Sequence, residues 1–231
     1  MKLSSFIARR IVFNRKRTFS RFIIRIAITA TALSVAMMIL ATALVNGFQK
    51  TVSQKVFGFW GHIHITRYQP YGGLVTEEVP FTSTDSLINA IKAVPGIRSV
   101  DEYATRSAIL KAKDEIDGVV FKGVGKGYHW SHLKPYLVAG NVIQFPDSGY
   151  SQQVILSASL ARELKVKLHD PVIIFFIQKG DLTPLARRLT VTGIYKTSIE
   201  DYDKTFIIGD LNLLRNVSHW PADDIGGYEV T

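Results

Sequence analysis

The sequence predicts a membrane protein: one N-terminal transmembrane helix followed by an outer α+β domain of two subdomains. Three observations carry this reading. Residues 26–45 form one uncharged apolar run. Basic residues crowd ahead of it, and beyond it helical spacing gives way to alternating strands. The chain has 231 residues, with 28 Lys+Arg against 19 Asp+Glu and a net charge of +9. Eight of the bases (Lys2, Arg9, Arg10, Arg15, Lys16, Arg17, Arg21 and Arg25) fall in residues 1–25, where there is no acid. The rest of the chain is close to neutral, so it lacks the basic surface that nucleic-acid binding requires. With no cysteine in the chain, disulfides, thiolate metal sites and cysteine nucleophiles are excluded.

The elements follow in chain order. Residues 1–21 are expected as a cytoplasmic basic helix. Leu3, Phe6, Ile7 and Ile11 recur at helical spacing among bases suited to anionic headgroups; a disordered basic tail is the alternative. Residues 22–47 are expected as the transmembrane helix. The uncharged run has about the 20 residues needed to cross a hydrocarbon core, and lipid obliges its backbone to pair within itself. The one-sided bases put the N-terminus inside. A cleaved signal peptide is the competing reading, since Ala41-Thr42-Ala43 resembles a cleavage site; the apolar run and the basic lead are both long for one. A buried soluble helix is a third. The small pairs Ala27/Thr31, Ala30/Ser34 and Ala32/Ala36 suit close packing against another helix.

Residues 48–61 are expected to extend the same helix beyond the bilayer. Val45, Phe48, Val52, Val56 and Phe59 recur at steps of three or four, an apolar stripe in search of a cover. That cover is either the chain's own domain or a partner or apolar substrate, and these five residues are the candidate contact site.

Residues 62–127 are expected as a first subdomain, β-α-β-β in order: a strand at 62–68, a helix at 85–94 closed by Pro95-Gly96, and strands at 97–111 and 119–124 around a polar turn at 113–117. Residues 128–225 are expected as an inserted, β-rich second subdomain. It has strands at 154–156, 172–177, 189–195 and 205–208, a helix at 158–164 capped by Ser157, and a short helix at 210–216. Residues 226–231 would resume the first subdomain. A chain that stops on a beginning strand reads as a truncated one.

No catalytic constellation emerges. His62 and His64 share a strand face but lack an evident third ligand. Gly123-Val124-Gly125-Lys126-Gly127 lacks the spacing of a phosphate loop and reads as a turn. Glu200, Asp201 and Asp203 read as a solvated acidic turn, with a hard-cation site as the less favoured alternative. Lys165 and Lys167 read as a solvated helix end.

Several stretches together resemble a known family. Asn46-Gly47-Phe48 follows the apolar run, and Gly58-Phe59-Trp60-Gly61-His62-Ile63-His64-Ile65 opens the outer domain. Val154-Ile155-Leu156-Ser157, Leu160-Ala161, Leu164, Val166, Asp170 and Val172 form a block, and Thr192-Gly193-Ile194-Tyr195 precedes Glu200-Asp201-Tyr202-Asp203. In this order they resemble the LolC/LolE lipoprotein-releasing permeases of the MacB/FtsX-like superfamily. The resemblance implies an inner-membrane permease subunit with a MacB-like periplasmic core, here ending before the family's three further spans. It implies a separate ABC ATPase, a second permease subunit of the same or a related kind, a lipoprotein substrate, a periplasmic carrier and membrane lipids as partners. ATP would be used by the partner; no Walker A motif stands in this sequence, which is expected to be no enzyme and to bind no cofactor. Competing readings are a MacB/FtsX-like permease for efflux or cell-envelope signalling, and a single-span scaffold or sensor.

Overall fold

The computed structural model describes Leu3, Phe6, Ile7, Arg10 and residues 19–69, 78–177 and 184–231. The four isolated N-terminal residues are helical and exposed. The remainder of the segment expected as a basic helix lies outside the described residues up to residue 18. The chain divides into two compact units, Met1–Ser53 and Gln54–Thr231.

Helix α1 runs from Phe19 to Trp60, 42 residues without a break, or about 63 Å at 1.5 Å per residue. It is the one helix among the described residues long and apolar enough to cross a membrane. Its hydroxyls suit lipid. Thr31 Oγ1, Ser34 Oγ and Thr42 Oγ1 donate to the carbonyls four residues back, at 2.8 to 2.9 Å. No side-chain donor on those residues is left facing hydrocarbon.

The second unit is built on strands. These are β1 (Ile63–Thr66), β2 (Phe81–Thr82), β3 (Val100–Ala112), β4 (Glu115–Val124), β5 (Leu137–Gly140), β6 (Gln153–Ser157), β7 (Pro171–Phe176), β8 (Leu185–Tyr195), β9 (Phe206–Asp210), β10 (Asp224–Ile225) and β11 (Gly227–Val230). Four helices lie among them: α2 (Asp85–Lys92), α3 (Ala158–Glu163), α4 (Glu200–Thr205) and α5 (Leu211–Ser218). Their starts follow side-chain chemistry. Thr84 caps α2, Ser157 caps α3 through the Leu160 amide, and Asp210 caps α5 through the Asn212 amide.

Six strands close on themselves in the cyclic order β3-β4-β9-β6-β8-β7. Closure removes the free edges that an open sheet would expose. The interior is filled by Leu110, Phe121, Leu156, Phe176, Leu189, Val191 and Ile207. β11 joins the outer half of β3, β1 joins β11, and β5 joins β8. The pairing of β4 with β9 is parallel. It carries one hydrogen-bonded sheet across residue 128, so the two stretches expected as subdomains share the barrel and no break in pairing marks that point. The barrel takes β3 and β4 from the first stretch and β6 to β9 from the second.

The β3–β4 turn is tighter than the polar run 113–117 suggested. Ala112 pairs with Glu115, leaving only Lys113 and Asp114 to turn the chain, with Lys113 at φ 53°. Glu115 and Asp117 continue the strand half-buried, on the face that carries Val119 and Phe121, and the Glu115 carboxylate accepts from Lys165 Nζ at 2.5 Å. Glu200, Asp201 and Asp203 are not a solvated turn but the first residues of α4, and Asp203 is buried. Its carboxylate accepts from the Thr197 amide (2.9 Å), the Thr197 hydroxyl (2.8 Å) and the Ser198 amide (3.0 Å). Those donors explain the burial: the carboxylate takes the place of backbone partners that the preceding loop lacks.

Candidate functional site at the root of the long helix

All six residues of β4 from Val119 to Val124 are buried, and alternation divides them between two faces. Phe121 points into the barrel. Val120 and Val124 belong to a second core with Phe59, Tyr128, Leu133, Ile143, Ile155, Tyr195, Phe206 and Ile208. Lys122 shares their face. That second core is the socket into which the last turns of α1 descend.

The socket depends on Gly58-Phe59-Trp60-Gly61. A Cβ on Gly58 would stand 2.9 Å from the Tyr136 ring and 3.4 Å from the His132 carbonyl, so only glycine lets that loop lie flat on the helix. Gly61 sits at φ +67° and its amide donates to the Phe57 carbonyl at 2.9 Å, ending the helix with a left-handed cap. Between the glycines, Phe59 is 1% exposed. Its ring lies 5.2 Å from Tyr202, 5.6 Å from Tyr195 and 5.7 Å from Phe206. Trp60 meets Phe206 edge to face at 4.9 Å, a favoured aromatic geometry. The Tyr195 hydroxyl donates to the Phe206 carbonyl at 2.8 Å, and burial pushes this phenol well above its ordinary pKa.

The final carbonyls of a helix lack partners within it and carry the negative end of its dipole. Here the last two are met from outside the helix. Lys122 Nζ donates to the Phe59 carbonyl at 2.7 Å. The Trp60 carbonyl can only accept, so His64 Nε2, 2.5 Å away, carries the hydrogen; Nδ1 then accepts from the Tyr103 hydroxyl at 3.3 Å. Lys122 is fully buried and its ammonium pairs with Glu229 of β11 at 2.6 Å. It also lies over the rings of Trp60 (4.6 Å) and Phe59 (4.9 Å). Burial, then the Glu229 and Asp101 carboxylates, hold the neighbouring Tyr128 phenol well above its usual range, so it stays neutral. Asp101 is buried too and accepts from both the amide and Nδ1 of His129, at 3.1 and 2.6 Å. The chemistry is that of a fastening. A cation from β4 and a carboxylate from β11 hold a helix end.

The five residues of the apolar stripe separate. Phe48 is 71% and Val52 39% exposed, and Val45 is exposed as well. Val56 is half-buried. Phe59 is a correction: as a core residue caged by three aromatic rings, it cannot be a partner contact. Sequence reasoning missed Lys122 and Glu229, because a charged residue in a strand reads as solvent-facing. The signal was present: Lys122 is the lone charge in an otherwise apolar run, Val119-Val120-Phe121-Lys122-Gly123-Val124. A strand apolar on both faces is covered on both. His62 and His64 are engaged in stacking and in capping, His62 against the Phe57 ring at 4.4 Å. Gly123 lies in β4, where a Cβ would meet the α5 backbone at Leu211; its role is close packing.

The family described as MacB-like periplasmic core domain matches residues 26–224. Among named relatives, the lipoprotein-releasing system transmembrane protein LolC of Neisseria meningitidis is 25% identical over 216 residues, covering 88% of this chain and 48% of the relative. LolC of Buchnera aphidicola is 21% identical over 176 residues, covering 76% and 41%. The chain thus spans about half the length of the relatives it matches. Two solved structures overlap it at a TM-score of 0.48. They are the extracellular domain of the transporter YknZ from Gram-positive bacteria (20% identity; 73% of this chain, 82% of that one) and the periplasmic region of MacB from Actinobacillus actinomycetemcomitans (18%; 73% and 72%). By the span of the family match, from within the long helix almost to the last strand, this chain belongs to the MacB-like periplasmic core domain family.

Proposed function

We propose that the chain is the N-terminal portion of a transmembrane subunit of an ABC transporter that releases lipoproteins from the bacterial inner membrane to a periplasmic carrier. The observation that carries the reading is α1 itself: a single helix whose apolar stretch suits a bilayer and whose last turn is built into the core of the outer domain. Relatives named for lipoprotein release support the substrate. The N-terminus lies in the cytoplasm, following the bases of residues 1–25, and the domain lies in the periplasm. ATP hydrolysis belongs to a separate ABC ATPase; a second permease subunit completes the assembly. The exposed Val45, Phe48 and Val52 form the surface that meets that subunit or the acyl chains of the lipoprotein.

Two measurements test this. A cysteine at Ser148 should react with an impermeant thiol reagent in intact spheroplasts while one at Ser4 resists; the reverse labelling overturns the topology. Depletion of the full-length protein should leave lipoproteins in the inner membrane. Normal lipoprotein traffic after depletion, with an ABC ATPase still copurifying, would favour the efflux or signalling reading that the MacB-like family also accommodates.

A further inference from the structure

Lys122 is a costly placement. It is a fully buried ammonium on a strand whose neighbours are valine, phenylalanine and glycine. Buried charges persist where they are paired, and here the ammonium has an ion-pair partner and a hydrogen-bond acceptor from two elements far apart in sequence. The Phe59 carbonyl belongs to the end of α1, and the Glu229 carboxylate to β11. β11 in turn is hydrogen-bonded between β1 and β3. The last turn of α1 holds no basic residue of its own, so the lysine that answers its dipole is lent by β4.

We infer that Lys122 is the positioning residue of the helix root: it fixes the last turn of α1 against β4 and β11, so a movement of that turn is passed to the sheet instead of being absorbed at a hinge. The coupling half of this inference rests on the reading of the chain as part of a transporter subunit; the positioning half does not. The geometry supplies the reason. An ammonium 2.7 Å from one partner and 2.6 Å from the other cannot follow a displaced helix end without abandoning the carboxylate. Buried as they are, neither group finds water as a substitute. Aromatic packing by Phe59 and Trp60 resists withdrawal of the helix, and the apolar burial that drives it is non-directional. The charged hydrogen bond from Lys122 to the Phe59 carbonyl is directional and sets the angle, while the ion pair with Glu229 holds the ammonium in place.

The test uses the full-length chain, in which the described portion offers no native cysteine to compete with introduced labels. Spin labels at Gln54→Cys and Ser148→Cys, both on exposed side chains of the second unit, report the distance between the helix root and the domain. Lys122→Met alone strands Glu229 and is expected to fold poorly. Lys122→Met/Glu229→Leu removes both charges, and buried ion pairs often yield to apolar pairs without loss of stability. The expected result is a cooperatively folded double variant that loses the single narrow label distance of the wild type. In the complete assembly it should release lipoprotein about tenfold more slowly, the scale of an ordinary coupling free energy, at an unchanged yield of complex. A double variant with the wild-type distance distribution overturns the positioning role. A broadened distribution with release at the wild-type rate overturns the coupling. If the wild-type assembly itself releases no lipoprotein, the proposed function fails, and the distance distribution still decides whether Lys122 positions the helix.

Discussion

The apolar stripe of α1 has the same spacing around Phe48 as around Phe59, and the two stretches have opposite surroundings. Phe48 is exposed; Phe59 is among the most deeply buried side chains of the chain. What separates them is not hydrophobicity but the residues beside them. Gly47 has open space where a side chain would stand, whereas Gly58 and Gly61 admit Tyr136 and a left-handed cap. Apolar periodicity says which face of a helix is to be covered. Close-approach glycines and capping partners say where the chain itself supplies the cover.

The largest test of that contrast is truncation. Phe59→Ala should destabilise the second unit by about 3–5 kcal/mol, read as a lowered midpoint in denaturant unfolding of the full chain in detergent. Phe48→Ala should shift it by no more than about 0.5 kcal/mol, as exposed positions do. Equal losses at both positions would erase the distinction.

The glycines give the next largest effect. Gly61→Ala forces a side chain into the left-handed region, a cost of about 1–2 kcal/mol, and its Cβ would come 3.2 Å from the Val230 carbonyl. Gly47→Ala meets nothing, and in a helix interior it should stabilise by about 0.5–1 kcal/mol. Thermal unfolding that moves the two variants in opposite directions supports the account; a common direction counts against it.

The smallest effect is on acid dependence. Burial raises the Asp210 pKa, against the lowering effects of the Ser151 and Asn212 amides and of Arg215. A raised carboxyl pKa means that the folded state holds its proton more tightly than the unfolded state. This group's contribution therefore favours folding most below the ordinary carboxylate pKa and declines as pH rises through the folded value. Asp210→Asn keeps an acceptor for the Asn212 amide and should abolish that decline. Stability measured from mildly acidic to neutral pH should then differ in slope between variant and wild type; identical slopes would contradict the assignment.

Much of the fold was legible in the sequence, for local reasons. The strand β4 and the Ser157 cap of α3 follow from alternation and capping chemistry, and the long helix from its unbroken spacing. The closure of the barrel was not legible. It depends on β3 pairing β4 on one side and β7, through Ala108–Lys111, on the other, and a sequence does not print its distant pairings. The short strands β2, β5 and β10 were missed because two to four residues carry no measurable period. Spacing gave the apolar face of Val45, Phe48 and Val52, which the structure leaves exposed and whose role as a contact surface is a proposal, whereas Lys122 and Glu229 acquire meaning only once β4 and β11 converge on a helix end.

The exposed half of α1 carries the functional claim, and lipoprotein release by the complete assembly tests it most directly. Phe48→Asp and Val52→Asp should each slow ATP-driven release about tenfold or more, since burying an unpaired carboxylate against a partner or an acyl chain is costly. The unfolding midpoint and the copurifying ATPase should be unchanged. Release at the wild-type rate in both variants would contradict the account and leave the stripe around Phe48 without a partner.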